Sequence, residues 1–269
     1  SEPPKNLSLE WDDGYNLTIR WEHPDRTNGR LLEFQISVNE EMQLTYHINN
    51  EQLNYEYKLN IENTNFTLRQ LNIEVKAKNS AGISNPIKIS IQSPPKRPIF
   101  TRNPIIKNIT NFRFTLEIPE ILGVEGNKSN MYIVISDINN EHTLKREYIH
   151  SLERKLLEEV NISIENSWIA NAFNLYHMME QKDFFFEVGD DSETVFEETW
   201  KLKNRKLNVD RTYSVTFVLL NTYGKFSRAS IYKIPQPIRL SESAGRLYYL
   251  LMLILIPIIL SILYVLLKR

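Results

Sequence analysis

Few side chains in this sequence are suited to binding a metal or attacking a substrate. The five histidines form no H-x3-H or H-E-x-x-H pair, so a zinc site is not expected. They are His23, His47, His142, His150 and His177. Cysteine is absent, which removes disulfides, thiolate ligands and cysteine nucleophiles. We therefore predict no catalytic residue, no cofactor and no metal site.

Two acidic turns, Asp12-Asp13-Gly14 and Gly189-Asp190-Asp191, are the remaining candidates for a cation site. Neither has the regular spacing of oxygen ligands in a calcium-binding loop, so we interpret both as turns. The sequence also has no G-x-S-x-G motif and no glycine-rich phosphate loop. We predict that this chain is not an enzyme, and a membrane-anchored enzyme is the least favoured alternative.

The strongest chemical signal in the sequence is for covalent modification of asparagine. Six asparagines stand in the N-x-S/T pattern of N-glycosylation. They are Asn6, Asn16, Asn65, Asn108, Asn127 and Asn161. Roughly three such patterns would arise by chance, so the excess is modest. All six precede the apolar end of the chain. This order favours an extracellular or lumenal position for the region that contains them.

Residues 247–267, LYYLLMLILIPIILSILYVLL, carry no charge. As a helix they would be roughly 32 Å long, which matches a bilayer core of about 30 Å. A helix that is apolar on every face is either buried in a core or spans a membrane. Tyr248 and Tyr249, near the start of the stretch, suit an aromatic belt at one membrane–water interface. Lys268 and Arg269, directly after the stretch, suit the other interface. We predict a transmembrane helix with the lipid bilayer as partner, and residues 268–269 as the start of a cytoplasmic tail.

The first segment, about 1–94, shows the two-residue periodicity of β-strands. Leu17, Ile19 and Trp21 share one face of a predicted strand. Similar short runs recur along the segment, separated by turn signals and with no amphipathic helix. This pattern indicates an antiparallel β-sandwich.

The second segment, about 98–237, follows a proline-rich hinge and also alternates. Met131 to Ile135 are apolar almost throughout, which is typical of a central strand. Apolar residues spaced by three and four over about 142–160 predict an amphipathic helix inserted between strands. We interpret this insertion as a cap over one sheet edge, and a partner-binding helix is the alternative.

A set of residues along the first segment forms a recognisable order. These are Pro3, Pro4, Trp21, Pro24, Ile73, Val75, Ala77, Asn79, Gly82 and Ser84. The order resembles a fibronectin type III domain. The family's corner tyrosine is replaced by Leu71, so we expect a looser corner there. Leu207 and Tyr213 have the corner spacing, so the second segment resembles a distorted fibronectin type III domain, with the Tyr213 hydroxyl bonded to backbone.

The second segment also resembles a narrower family through three motifs. They are I-A-x-A-F (Ile169, Ala170, Ala172, Phe173), F-x-V-G-D (Phe186, Val188, Gly189, Asp190) and L-x5-Y-x-V-x-F (Leu207, Tyr213, Val215, Phe217). With the apolar stretch after them, they resemble the membrane-proximal ectodomain of receptor-type protein tyrosine phosphatases. The resemblance implies a type I receptor with a cytoplasmic phosphatase domain. This chain has no cysteine and hence no phosphatase loop of its own.

The expected fold class is all-β: two fibronectin type III-like antiparallel sandwiches, the second with a helical insertion, followed by a single transmembrane helix. The expected function is that of a single-pass type I receptor glycoprotein at the plasma membrane, with its N-terminal region extracellular and a role in cell adhesion and signal transduction. An extracellular protein ligand or a neighbouring receptor is the expected partner. The net charge of -1 makes nucleic acid a poor partner. The alternatives are a non-enzymatic adhesion or cytokine-type receptor, or a tail-anchored cytosolic scaffold.

Overall fold

The structure is a computed structural model that describes residues 1–12, 15–49, 52–62, 64–138, 166–179, 183–198 and 200–240. The chain divides into two compact units. The first comprises Ser1–Lys96, Glu125–Asn127 and Asn221–Arg228, and the second comprises Arg97–Val124, Lys128–Leu220 and Ala229–Arg269. The predicted domain bounds, 1–94 and 98–237, stay a prediction.

Among its described residues, the first unit contains eight complete strands, in two antiparallel sheets. They are β1 (Lys5–Trp11), β2 (Asn16–Glu22), β3 (Leu31–Val38), β4 (Met42–His47), β5 (Asn54–Asn60), β6 (Gln70–Asn79), β7 (Gly82–Ile83) and β8 (Ile87–Gln92). One sheet has the order β1-β2-β5. The other has the order β4-β3-β6, and both β7 and β8 pair with β6. This division of strands is that of a fibronectin type III-like sandwich.

The core of the first unit is formed by the inward-facing residues of both sheets. Leu17, Ile19 and Trp21 are buried on one face of β2, as their alternation predicts. The Trp21 ring is 5.3 Å from the ring of Phe34 and 6.0 Å from that of Tyr55, measured between centroids. Aromatic packing across the two sheets therefore stabilises this sandwich through burial of a large apolar area.

The second unit repeats the same plan with additional short strands. The elements that lie wholly or mostly in it are β9 (Ile99–Phe100), β10 (Ile105–Lys107), β11 (Phe114–Pro119), β12 (Ile121–Leu122), β13 (Lys128–Asp137), β14 (Ser167–Asn174), α1 (Leu175–Met178), β15 (Asp183–Val188), β16 (Glu193–Phe196), β17 (Trp200–Lys203), β18 (Thr212–Tyr223), β19 (Phe226–Lys233) and β20 (Ile238–Arg239). The sheet β10-β11-β15 opposes the sheet β14-β13-β18-β19, in which β20 also pairs with β18. The pairs β9-β12 and β16-β17 are separate.

The predicted tyrosine corner is present in the second unit. The hydroxyl oxygen of Tyr213 accepts a hydrogen bond of 2.9 Å from the backbone N–H of Asn208. Its ring is buried beside that of Trp168. Burial raises the pKa of the Tyr213 hydroxyl, so the group stays protonated over the physiological range.

The expected fold class requires a correction. Among the described residues, no helix is long and apolar enough to cross a membrane. These residues also contain no helical insertion between β13 and β14, and their one helix, α1, has four residues. Helical periodicity predicts a stable helix only where packing of its apolar face supports it. The sequence regions behind these two expectations, about 142–160 and 247–267, lie outside the described residues.

Candidate protein-binding surface

The described residues contain no group of three or more His, Asp or Glu side chains that could hold a metal ion. His23 directly follows β2, and its Nδ1 atom is 2.6 Å from the carbonyl oxygen of Pro24. His47 lies on a sheet face beside Glu33, and His177 lies in α1. His142 and His150 are outside the described residues. The chain has no cysteine, so it cannot supply the cysteine nucleophile of a protein tyrosine phosphatase.

The acidic turn at Asp190 is held by its own hydrogen bonds. One carboxylate oxygen of Asp190 accepts bonds from the Ser192 backbone N–H at 2.9 Å and from Asn204 Nδ2 at 2.7 Å. Partial burial acts to raise the pKa of Asp190, but these bonds outweigh it and the pKa is lowered. These bonds close the turn, and the absence of a bound cation stays a prediction. In the other acidic turn, Asp12 accepts a bond of 3.1 Å from the Asn16 backbone N–H, and Asp13 and Gly14 lie outside the described residues.

The glycine of the F-x-V-G-D motif has a structural explanation. Gly189 has a φ angle of +94°, and a Cβ atom at this position would lie 2.5 Å from the carbonyl oxygen of Phe112. Its N–H donates a bond of 2.9 Å to Asn204. Only glycine combines this backbone conformation with this close approach. The motif therefore fixes the exit from β15.

The predicted glycosylation sites differ in their accessibility. The exposed ones are Asn6, Asn65, Asn108 and Asn127. Asn16 is half-buried, and its Nδ2 atom donates a hydrogen bond of 2.6 Å to Asp12. Asn161 lies outside the described residues. Modification of these six sites stays a prediction.

The outer face of the larger sheet in the first unit carries polar side chains in register. We call this face the polar ladder, and it consists of Glu33, Gln35, Thr45, His47, Asn72, Glu74, Lys76, Lys78, Lys88 and Ser90. The strand register places Glu33 between Lys78 and His47, and Glu74 opposite Lys88. These positions alternate with the buried residues of the core. The ladder follows directly from the period of two along each strand.

Ion pairs organise the polar ladder around two carboxylates. Glu33 accepts bonds from Lys78 Nζ at 2.9 Å and Gln35 Nε2 at 3.2 Å, and these bonds lower its pKa. Glu74 pairs in the same way with Lys88. Each glutamate side chain is only 14% exposed, whereas the Lys88 side chain is 62% exposed. The ladder therefore presents its positive groups outermost.

The corresponding face of the second unit is apolar and covered. Its outward residues form a second core with the hairpin β16-β17: Tyr132, Val134, Ile169, Ala172, Trp200, Leu202 and Val218. Trp200 lies 5.8 Å from the Tyr132 ring, measured between centroids. The hairpin is also held by polar contacts, because Thr194 donates a bond of 2.9 Å to Asn171. This sheet is therefore buried on both faces.

The sequence interpretation identified many of the strands but missed both outer surfaces. Strand β4 carries a signal, since Met42, Leu44 and Tyr46 alternate with polar residues. The hairpin strands β16 and β17 have four residues each, so their alternation is short. The polar ladder depends on cross-strand register, which periodicity alone does not specify.

Comparison with known proteins finds no matching family model and no curated relative. Among solved structures, the chain is similar to a segment of two fibronectin type III domains from chicken tenascin. Identity is 12%, coverage is 86% of this chain and 99% of that chain, and the TM-score is 0.34. The chain is also similar to the FN1–FN3 domains of chicken CNTN1, at 13% identity and a TM-score of 0.29. That match covers 88% of this chain and 64% of the other, so the chain spans just under two thirds of that structure.

Proposed function

We propose that this chain is the extracellular, ligand-binding part of a cell-surface adhesion or signalling receptor, and that the polar ladder binds an acidic protein surface. The observation that carries the proposal is the open, ion-paired face on a sandwich whose counterpart in the second unit is covered. A sheet face that is polar, ordered and solvent-accessible needs no cover, and it is free to contact a macromolecule.

The chemistry of the ladder favours a protein partner over a small molecule. The depression on this face, lined by Asn39, Glu74 and Lys88 among others, is open to solvent. Small-molecule sites are usually concave enough to enclose most of the ligand. The lysine tips project beyond the glutamates, so a surface rich in carboxylates gives electrostatic complementarity and faster association.

The second part of the proposal concerns the cellular location of the chain and the family of the protein to which it belongs. We place the sandwiches outside the cell at the plasma membrane, in the type I orientation, and we assign the chain to the ectodomain of a receptor-type protein tyrosine phosphatase. The six glycosylation patterns support the placement. The motif from Phe186 to Asp190 and the tyrosine corner at Tyr213 support the parentage.

The ligand proposal is tested by binding the fluorescently labelled full chain to a panel of cultured cell lines. The triple variant Lys76→Glu, Lys78→Glu, Lys88→Glu should bind about tenfold more weakly, because reversing charges at a complementary interface costs on the order of 1.4 kcal/mol or more. Lys58→Glu is the matched control, since Lys58 lies on β5 in the opposite sheet. Binding should survive heparinase treatment and disappear after trypsin treatment of the cells. Equal binding by the triple variant and the unsubstituted chain would refute the assigned surface.

Placement and parentage need separate measurements. Glycan mapping after expression through the secretory pathway should find Asn65 and Asn108 modified, because both are exposed. Unmodified asparagines together with protease-accessible sandwiches on the cytosolic side would contradict the extracellular placement.

Transcripts that continue the reading frame past Arg269 should encode a phosphatase signature with its catalytic cysteine. A continued reading frame without a phosphatase signature would refute the assignment to a receptor-type phosphatase. It would not affect the proposal that the polar ladder binds an acidic protein surface.

A further inference from the structure

Polar residues from all three strands of the smaller sheet in the first unit line an open groove. They include Asn6 and Ser8 on β1, Arg20 and Glu22 on β2, and Glu56 on β5. The register places Ser8 opposite Arg20 and Arg20 opposite Glu56, so these three residues form one row across the sheet. The groove is therefore built on ordered strands, and it belongs to a different sheet from the polar ladder.

The asparagine in this lining is also the acceptor of a glycosylation pattern, Asn6-Leu7-Ser8. Its φ angle is +48°, and the register of β1 against β2 shifts between Lys5 and Ser8. Such an irregularity re-aims a side chain. Asn6 Nδ2 donates a hydrogen bond of 2.8 Å to a carboxylate oxygen of Glu22, which also lines the groove. A glycosylated amide keeps one N–H, so this bond can persist and direct the attached sugar into the groove.

The charged and amide groups of the groove suit a neutral ligand with many hydroxyls. The Arg20 guanidinium is fixed between Glu10 at 2.6 Å and Glu56 at 2.8 Å. A carboxylate offers about four acceptor sites, so Glu22 and Glu56 retain sites for sugar hydroxyls. Asn54 adds an amide that can both donate and accept. Because the two lining carboxylates outnumber the one guanidinium, a phosphorylated or sulfated ligand is disfavoured.

The lining also includes an aromatic side chain that is only half-buried, Tyr46 on β4. Its ring packs edge-on against those of Trp21 and Tyr55, at centroid distances of 5.5 Å and 5.9 Å. These contacts hold the ring in place, and its accessible part offers an apolar platform for the C–H face of a sugar. β1 and β5 are two strand spacings of about 4.8 Å apart, a span that the two N-acetylglucosamine units of a glycan core can cover.

We propose that this groove binds the first two sugars of an N-glycan carried by its own Asn6. The inference rests on the extracellular placement proposed above, because N-glycans are added in the secretory pathway. Covalent attachment holds the sugars at a high effective concentration, so individually weak contacts suffice to keep them in the groove. The bound glycan covers the smaller sheet of the first unit and leaves the larger sheet, with its polar ladder, as the open protein-binding face.

Site-resolved deglycosylation of the full chain, expressed through the secretory pathway, tests the proposal. A mild detergent is present, because residues 247–267 carry no charge and are almost entirely apolar. A peptide N-glycosidase is added, and mass spectrometry follows glycan release at each asparagine in the native and in the denatured chain. A contact formed about nine-tenths of the time leaves about one tenth of the glycans accessible. Relative to the denatured chain, native release at Asn6 should therefore be slowed about tenfold more than release at Asn65, which is exposed and outside the groove.

Two substitutions in the groove should remove this protection. Tyr46→Leu keeps an apolar side chain against the core but loses the ring, and Asn54→Arg fills the groove with a larger side chain from an exposed position. Either variant should bring native release at Asn6 close to that at Asn65. The matched control Gln43→Arg, exposed on β4 outside the groove, should leave the slow release unchanged. Thermal unfolding of Asn54→Arg should be unaffected, because the change is on the surface.

The outcomes separate this inference from the proposed function. The inference is overturned if Asn6 carries no glycan while Asn65 does, if native release is equally fast at both sites, or if neither groove substitution speeds release at Asn6. In each of these cases Asn65 is glycosylated, so the extracellular placement stands. Glycans missing from both asparagines would contradict the placement itself, and this inference with it.

Discussion

The two sandwiches share one strand order and differ in what lies on the outer face of the larger sheet. In the first unit, the outward positions on β3 are Glu33, Gln35 and Ser37, and the face carries ion pairs. In the second unit, the outward positions on β13 include Tyr132 and Val134, and the hairpin β16-β17 covers them. Sheets with the same strand order therefore have a solvent-exposed outer face in the first unit and a buried outer face in the second.

This difference shows that strand order and face chemistry are specified separately. The inward face of each sandwich follows from apolar alternation, and it gives both units the same two-layer core. The outward face is free to vary, since water can solvate it when it is polar. When it is apolar, another element must cover it. The proposed ligand-binding role therefore falls to the first sandwich, whereas the larger sheet of the second is buried on both faces.

Removal of the aromatic anchor of the hairpin should have the largest effect on this comparison. The variant Trp200→Ala should destabilise the second sandwich by about 3–5 kcal/mol, because Trp200 is almost completely buried against Tyr132. Urea unfolding followed by tryptophan fluorescence measures the loss. Val195→Ala on the exposed side of the same hairpin is the control, with an expected change within about 0.5 kcal/mol. A Trp200→Ala variant as stable as the control would mean that the hairpin is not a structural cover.

Alanine substitutions at two glycines, Gly189 and Gly82, should have the next largest effect and allow a second comparison of the two units. Gly189→Ala in the second unit should cost about 2–3 kcal/mol, because the new Cβ atom would meet the Phe112 carbonyl at a positive φ angle. Gly82→Ala in the first unit also has a positive φ angle, but nothing lies within 4 Å of its added Cβ atom. Its cost should therefore be about 1 kcal/mol. Thermal unfolding of the two variants side by side gives the difference, and equal costs would contradict the close approach at Gly189.

Tyrosine hydroxyls provide a smaller and more nearly matched test. Tyr213→Phe removes the oxygen that accepts the Asn208 N–H and should cost about 1–2 kcal/mol. In the first unit, where Leu71 replaces the corner tyrosine, the buried Tyr15 hydroxyl donates instead to the Pro95 carbonyl at 3.0 Å. Tyr15→Phe should therefore have a cost of similar size. If Tyr15→Phe left the stability unchanged, the first sandwich would lack a stabilising tyrosine hydrogen bond equivalent to that of Tyr213.

The smallest expected effect is the pH dependence of the polar ladder. Bonds from Lys78 and then Gln35 lower the pKa of Glu33, so folding favours its charged form. This contribution is present above the pKa of the unfolded chain and is lost as the pH falls below about 4. The thermal midpoint of the first sandwich should drop between pH 6 and pH 3 by less in Glu33→Gln than in the unsubstituted chain. Identical pH profiles would mean that Glu33 contributes nothing to stability.

Sequence periodicity predicted the elements whose packing it directly encodes. Leu17, Ile19 and Trp21 lie where alternation places them, and the spacing of Leu207 and Tyr213 marked a real corner. The hairpin β16-β17 was not predicted, because its cover of the second sheet depends on contacts between residues far apart in sequence. A helical period over about 142–160 indicated an insertion that the described residues do not contain. Periodicity therefore identifies an apolar face but not the element that covers it.

Lysine footprinting tests the central claim most directly, because both outer surfaces carry lysines. The full chain, bound to ligand-bearing cells and free in solution, is labelled by reductive methylation and analysed peptide by peptide. The account predicts that binding protects Lys76, Lys78 and Lys88 on the polar ladder. Lys201 and Lys203 on the hairpin should react equally in both states. Protection of the hairpin lysines with an unchanged polar ladder would contradict the assignment of binding to the first sandwich.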